Sequence, residues 1–186
     1  MCIRLLALVL WLAFGLTLAL AQTEEKVGKR PYELDWAGRT QDDHPPLINF
    51  EDLTGWWVEG KASEATFQRT REEQIWDRYV GKLTYRYTGQ GQPEVRFGPP
   101  TPLPITADFD AVTCWIYGNN WGYSRDASTP PVRVAVQFRT ATGQEFTVPL
   151  IYVNWKEWHL AHVRLTPAQL DLVKGGPVRF VALVVT

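Results

Sequence analysis

Hydrophobic positions recur with a period of two over most of the chain from Leu47 onward. Val132, Val134, Val136 and Phe138 share one parity, and Arg133, Gln137 and Arg139 share the other. A strand with one buried and one solvated face has that pattern, because successive side chains point to opposite sides. Ala141-Thr142-Gly143-Gln144 supplies turn residues, after which Phe146, Val148, Leu150 and Tyr152 resume the alternation and predict a hairpin. Between Phe109 and Tyr117 both parities are apolar: Val112, Cys114 and Ile116 on one, Phe109, Trp115 and Tyr117 on the other. Such a strand is either central in a two-layer sandwich or carries a ligand platform on its outer side.

Short β-branched and aromatic runs between Gly, Pro and Asn punctuation predict strands at Leu47–Asp52, Trp56–Gly60, Ala65–Arg71, Gly81–Tyr87 and Glu94–Phe97. The same signals predict Phe109–Tyr117, Val132–Thr140, Glu145–Val153, Trp158–Leu165 and Val178–Val185. Thr166-Pro167-Ala168-Gln169-Leu170 predicts a single helical turn, with Thr166 as its cap and Pro167 at the first position. The expectation is an all-β fold, a two-layer antiparallel β-sandwich. Trp56 and Trp57 cannot both face inward, so one of them meets a second layer or solvent.

The amino terminus has a different pattern. Met1–Ala21 carries a single Arg4, an apolar run from Leu5 to Leu20 and the small-x-small triplet Ala19-Leu20-Ala21, as secretory signal peptides do. The polar exit Gln-Thr-Glu-Glu-Lys favours a cleaved signal over a membrane anchor, with cleavage before Gln22 and no stable membrane insertion afterwards. Residues 22–46 hold charges and prolines with only Tyr32, Leu34 and Trp36 as apolar anchors, and read as an extended lead-in. Residues 47–186 form the sandwich domain, expected to be the amino-terminal module of a longer secreted protein.

Composition sharpens this picture. The 186 residues include 19 Lys+Arg against 20 Asp+Glu, so there is no basic excess to displace counterions from phosphates, and nucleic-acid binding is not expected. Loss of the signal removes Cys2 and leaves Cys114 alone, so no internal disulfide can staple the fold and stability must come from the core. Cys114 lies in an apolar strand pattern and reads as a small buried hydrophobe. Nine Trp, seven Tyr and eight Phe mean either a thick β core or exposed stacking platforms.

Three stretches carry a resemblance. Leu47-Ile48-Asn49-Phe50-Glu51-Asp52-Leu53 with Gly55-Trp56, then Phe109–Val112 leading to Trp115–Asn119, then Asn154–Trp158 before Val163–Leu165, together resemble the galactose-binding-like jelly rolls. Carbohydrate-binding modules and accessory domains of secreted glycoside hydrolases share that fold. The resemblance implies a jelly roll over Leu47–Thr186 and a polysaccharide or glycan partner. It further implies a position beside a catalytic domain of the same longer chain. It also implies a structural calcium, for which Glu51 matches the acidic position, but the last strand offers no carboxylate to complete a hard-oxygen shell. No cofactor is otherwise expected.

A sandwich carries no function by itself, so function must come from sites. Sugar recognition needs flat aromatic faces for the C–H side of a pyranose and amides for its hydroxyls. Gly118-Asn119-Asn120-Trp121-Gly122-Tyr123 supplies both, with Trp121 and Tyr123 as platform and Asn119 and Asn120 as hydrogen-bonding pair. The alternative is that Asn119-Asn120 only turns the chain and Trp121 caps the core edge. Trp76, in the charged stretch Arg71–Arg78, is a second candidate, with a solvated connection as its alternative. Trp155 and Trp158 flank a turn and are expected to pack over the end of the barrel. The catalytic inventory is thin. His159 and His162 fall on opposite strand faces, and no nucleophile elbow or phosphate loop is present. Glu72, Glu73 and Asp77 offer carboxylates without any sign of the ~5–9 Å facing arrangement that glycoside hydrolysis needs. The expectation is a secreted, non-catalytic carbohydrate-binding module; the alternative is a structural sandwich packing against a neighbouring domain without a ligand of its own.

Overall fold

The computed structural model describes residues 46–75, 79–89, 91–118 and 132–186. Ten strands run in chain order: β1 Trp57–Lys61, β2 Ser63–Thr70, β3 Val80–Tyr87, β4 Glu94–Gly98, β5 Leu103–Ile105, β6 Ala111–Tyr117, β7 Val132–Thr140, β8 Glu145–Val153, β9 Trp158–Arg164 and β10 Val178–Val185. Helix α1, Pro167–Lys174, precedes β10. All pairings are antiparallel and make three sheets. One is six-stranded in the order β1-β4-β10-β7-β8 with β5 also on β10, and the other two are the ribbons β2–β3 and β6–β9. The protein is an all-β sandwich. Among the described residues no helix is long and apolar enough to cross a membrane.

The period-two pattern decides which face is buried. Val134, Val136 and Phe138 of β7, Val148 of β8, Val95 and Phe97 of β4, and Phe180, Leu183 and Val185 of β10 form the inner face of the six-stranded sheet. Against it pack Ala65 and Phe67 of β2, Leu83 and Tyr85 of β3, and Val112, Cys114, Ile116 and Val163 from β6 and β9. Aromatic rings tie the layers at two places. Phe67 lies 4.5 Å from Phe97 and is joined by Phe50 and Trp56, while Phe138 contacts Phe109, Phe146 and Phe180. Each fully buried large side chain of this kind stabilises by roughly 1.5–3 kcal/mol. The Trp56-Trp57 pair divides as alternation requires: Trp56 joins the core, and the Trp57 indole donates to the Pro99 carbonyl (2.9 Å) beside Gly98 on the outer face.

Irregularities fit the connections. Ala62, at φ 50°, turns the corner that carries the chain from β1 in one layer to β2 in the other. A register shift at Val181 separates the part of β10 paired with β5 and β7 from the part paired with β4 and β7. Pro149 is tolerated because β8 is an edge strand and a register shift adjoins it.

Three sequence expectations need correction. Leu47–Asp52 is not a strand: Asn49 Oδ1 accepts the Glu51 amide (3.2 Å), Asp52 Oδ1 accepts the Thr54 amide (2.8 Å), and Phe50 sits at φ 61°. Short polar side chains bonding to the backbone two residues on have turned a segment whose apolar pattern reads as extended. Phe109 is not on the outer side of β6. It precedes the strand and its ring lies 5.4 Å from Phe138 in the core. The helix is longer than one turn. Thr166 and Gln169 form a reciprocal capping box, and Leu170 and Val173 add an apolar contact with the core. The Pro-flanked β5 had no period-two signal because it is only three residues long.

Candidate functional site

The ribbon β6–β9 sets up the most distinctive surface. Its register, Ala111↔Arg164 through Tyr117↔Trp158, places Val112, Cys114 and Ile116 toward the core and Thr113, Trp115 and Tyr117 outward. On the outward side Trp115 and Trp158 pack on a small second cluster, Ile75 and Val80, contributed by the end of β2's connection and the start of β3. Tyr117 is 40% exposed, and its ring stands edge-to-face on Trp158 at 5.5 Å and 74°.

Two carboxylates act on the Tyr117 phenol. Partial desolvation raises the Tyr117 phenol above its ordinary range; the negative charge of Glu73, the hydrogen bond to that carboxylate and the charge of Glu157 add to the rise. The hydroxyl therefore stays protonated and donating. The 154–157 turn is fixed from beneath. The Gly118 amide donates to the Glu157 carbonyl (3.1 Å), the Trp155 indole reaches the Ile116 carbonyl (3.4 Å), and the Trp155 ring lies 4.8 Å from His159. A Cβ at position 118 would overlap the Trp155 carbonyl, so glycine is required there by close backbone approach. Arg71 Nε and Trp158 Nε1 are buried donors without a hydrogen-bond partner among the described residues. Buried donors left unpaired are costly, and Trp158 is one of the residues packed on the second cluster.

The sequence-derived candidates Trp121, Tyr123, Asn119, Asn120 and Trp76 lie outside the described residues. The residues from which both stretches continue are described. Gly118 follows Tyr117, and Ile75, which packs with Trp115 and Trp158, immediately precedes residue 76. Sequence reasoning missed Tyr117, Glu73 and Glu157 as partners of one another. The parity of β6 separated Tyr117 from Val112, Cys114 and Ile116 without saying which side is buried, and the approach of residue 73 is a tertiary contact across about 44 positions of chain.

Other candidates separate. Glu72 pairs with Lys82, so it and its neighbour Glu73 do not form a facing pair. His162 shares a hydrogen bond with Thr113 Oγ1 (3.0 Å) on the outward face, while His159 is beside Trp155. Trp155 packs against the main core and Trp158 on the second cluster. Glu51 accepts the Tyr79 amide on its carboxylate (2.7 Å) and Arg69 on its carbonyl (3.1 Å). Among the described residues no group of three or more His, Cys, Asp or Glu could hold a metal ion. The Glu51 carboxylate is thus engaged by a backbone amide and its carbonyl by a guanidinium. Burial pushes the Cys114 thiol up to about 11, away from the reactive thiolate.

No family model, curated protein or solved structure matches the chain.

Proposed function

We propose that this chain is a non-catalytic carbohydrate-binding module with a galactose-binding-like jelly-roll topology, taking glycan at the Tyr117 end of β6–β9. One observation carries the reading: an exposed tyrosine at the end of β6, which the Asn119–Tyr123 stretch follows in the chain, is braced edge-to-face by Trp158, with the Glu73 and Glu157 carboxylates acting on its phenol. An aromatic ring gives a sugar an apolar face, and the carboxylates accept its hydroxyl protons. Trp121, Tyr123, Asn119, Asn120 and Trp76 belong to the same reading as further ligand contacts.

The alternative, a sandwich that packs on a neighbour through an apolar face, has less support. The exposed large hydrophobics among the described residues are Leu47, Tyr87, Tyr117 and Tyr152, mostly tyrosines on different strands rather than one patch. Weak glycan binding by such a module raises the effective concentration of a tethered catalytic domain in a secreted protein.

Isothermal titration of the secreted protein, which is expected to begin at Gln22, against neutral plant, algal and host polysaccharides tests the proposal. Tyr117→Ala and Trp121→Ala are each expected to weaken binding at least tenfold with the melting temperature little changed, and a chelator to change nothing. Equal binding by the wild type and both variants, or none by the wild type, rejects the site.

A further inference from the structure

The outer face of the six-stranded sheet bears an unbalanced row of guanidinium groups. Arg96 (β4), Arg133 and Arg139 (β7) and Arg179 (β10) occupy positions opposite in parity to the core residues Val95, Val134, Phe138 and Phe180. Arg179 and Arg139 stand directly opposite each other in the β10–β7 register. Like charges placed directly across a strand pair destabilise it. Glu145 neutralises only one of the two, accepting Arg139 Nη2 at 2.6 Å and Nε at 3.0 Å and also the Gln137 amide at 2.6 Å. No carboxylate among the described residues pairs with Arg179, which is exposed.

The other two arginines are held by neutral groups. Arg96 donates to the Gln137 side-chain oxygen, which leaves Gln137 bridging Arg96 and Glu145 in one ribbon across the sheet. Arg133 lies over the Tyr152 ring, 4.4 Å from its centroid, and donates to its hydroxyl. With Lys61, Glu59 and Glu94, which β1 and β4 bring to the same face, five cations stand against three carboxylates on a chain whose formal net charge is −1. The local sign is therefore opposite to that of the whole molecule.

We infer that this face is a second binding surface, for a uronate-bearing polysaccharide. A guanidinium fork donates two parallel hydrogen bonds to a planar carboxylate, and a carboxylate between Arg179 and Arg139 removes the repulsion that their register imposes. Trp57 at the β1 edge and Tyr152, 53% exposed at the β8 edge, border the arginines with rings suited to sugar C–H faces. A nucleic acid fits less well, because the chain as a whole lacks the basic excess that phosphate binding uses. The surface is separate from the Tyr117 end, so either can fail without the other.

Affinity electrophoresis and titration calorimetry of the full chain at low salt test the inference. The probes are polygalacturonate, alginate, a neutral galactan, dextran sulfate and duplex DNA. The expected result is binding to the two polyuronates, weakening with added salt, and reduced at least tenfold in Arg139→Gln/Arg179→Gln but not in Tyr117→Ala. Arg179→Lys, which keeps the charge and loses the fork, is expected to fall between. Arg179→Gln alone is expected to melt no lower than the wild type, which separates lost binding from lost fold. Absence of polyuronate binding, equal binding by the arginine variants, or tighter binding to dextran sulfate or DNA would overturn it.

Discussion

The two layers of the sandwich are made of similar strands and held by different means. In the six-stranded sheet, β10 is paired along both edges and the ladder runs unbroken from β1 to β8. The facing layer is two ribbons, β2–β3 and β6–β9, each with one backbone ladder and, among the described residues, no ladder between them. Side-chain packing on the shared core therefore does for the second layer what hydrogen bonding does for the first. The outer faces follow suit. The continuous sheet carries a linked polar ribbon from Arg96 to Arg139, while the β6–β9 ribbon carries aromatics partly covered by the chain that joins β2 to β3. A surface built on a split layer can move without breaking a sheet; one built on a continuous ladder is rigid.

That contrast can be broken hardest at its centre. Phe138 lies on β7, in the continuous sheet, and touches three other phenylalanines, so Phe138→Ala is expected to cost about 3–5 kcal/mol. Equilibrium denaturation checks this, and a loss well under 1.5 kcal/mol would mean that the core is not organised around it.

Raised pH should act on the split layer. The Cys114 thiol on β6 is half-buried as a residue, but its sulfur faces the packed interior, which raises it from 9.0 to about 11. A group whose folded pKa is raised contributes stability that is complete below the unfolded value and lost as pH climbs through the folded one. Stability should therefore decline between pH 9 and 11, by about 2–3 kcal/mol in all. Burial raises the Tyr85 phenol on β3 as well and extends the decline upward. Cys114→Ala should flatten the slope below pH 10; an unchanged slope would show the thiol to be solvated.

Gly118→Ala sharpens the comparison most locally. The added methyl meets the Trp155 carbonyl and forces a shift at the end of the β6–β9 ribbon, at about 1–3 kcal/mol. Hydrogen exchange should quicken in β6 and β9 and stay constant in β7 and β10. Uniform quickening would show that the layers open together.

How much was legible in the sequence varied with the range of the interaction. β7, β8 and β10 appear at the residues their alternation predicts, because period-two burial is written locally and turn residues bound it. Thr166 and Pro167 likewise announced a helix start whose length depended on a core contact. Leu47–Asp52 misled because Asn49 and Asp52 bond to nearby amides, a competition that apolar periodicity does not register. Of the site, the shared parity of Trp115 and Tyr117 was readable, but which face of β6 is buried and the meeting of Tyr117 with Glu73 were not.

The sequence by itself determined an all-β chain, the buried parity of β7 and the division of Trp56 from Trp57, since all three follow from alternation along a pleated backbone. Only the tertiary structure decided which strands share a sheet. It also decided that Arg179 stands opposite Arg139, that Tyr117 stands edge-to-face on Trp158, and that the Glu73 and Glu157 charges act on its phenol. Strand pairing and cross-layer contact join residues far apart in the chain, and their energies depend on packing geometry that no local pattern encodes.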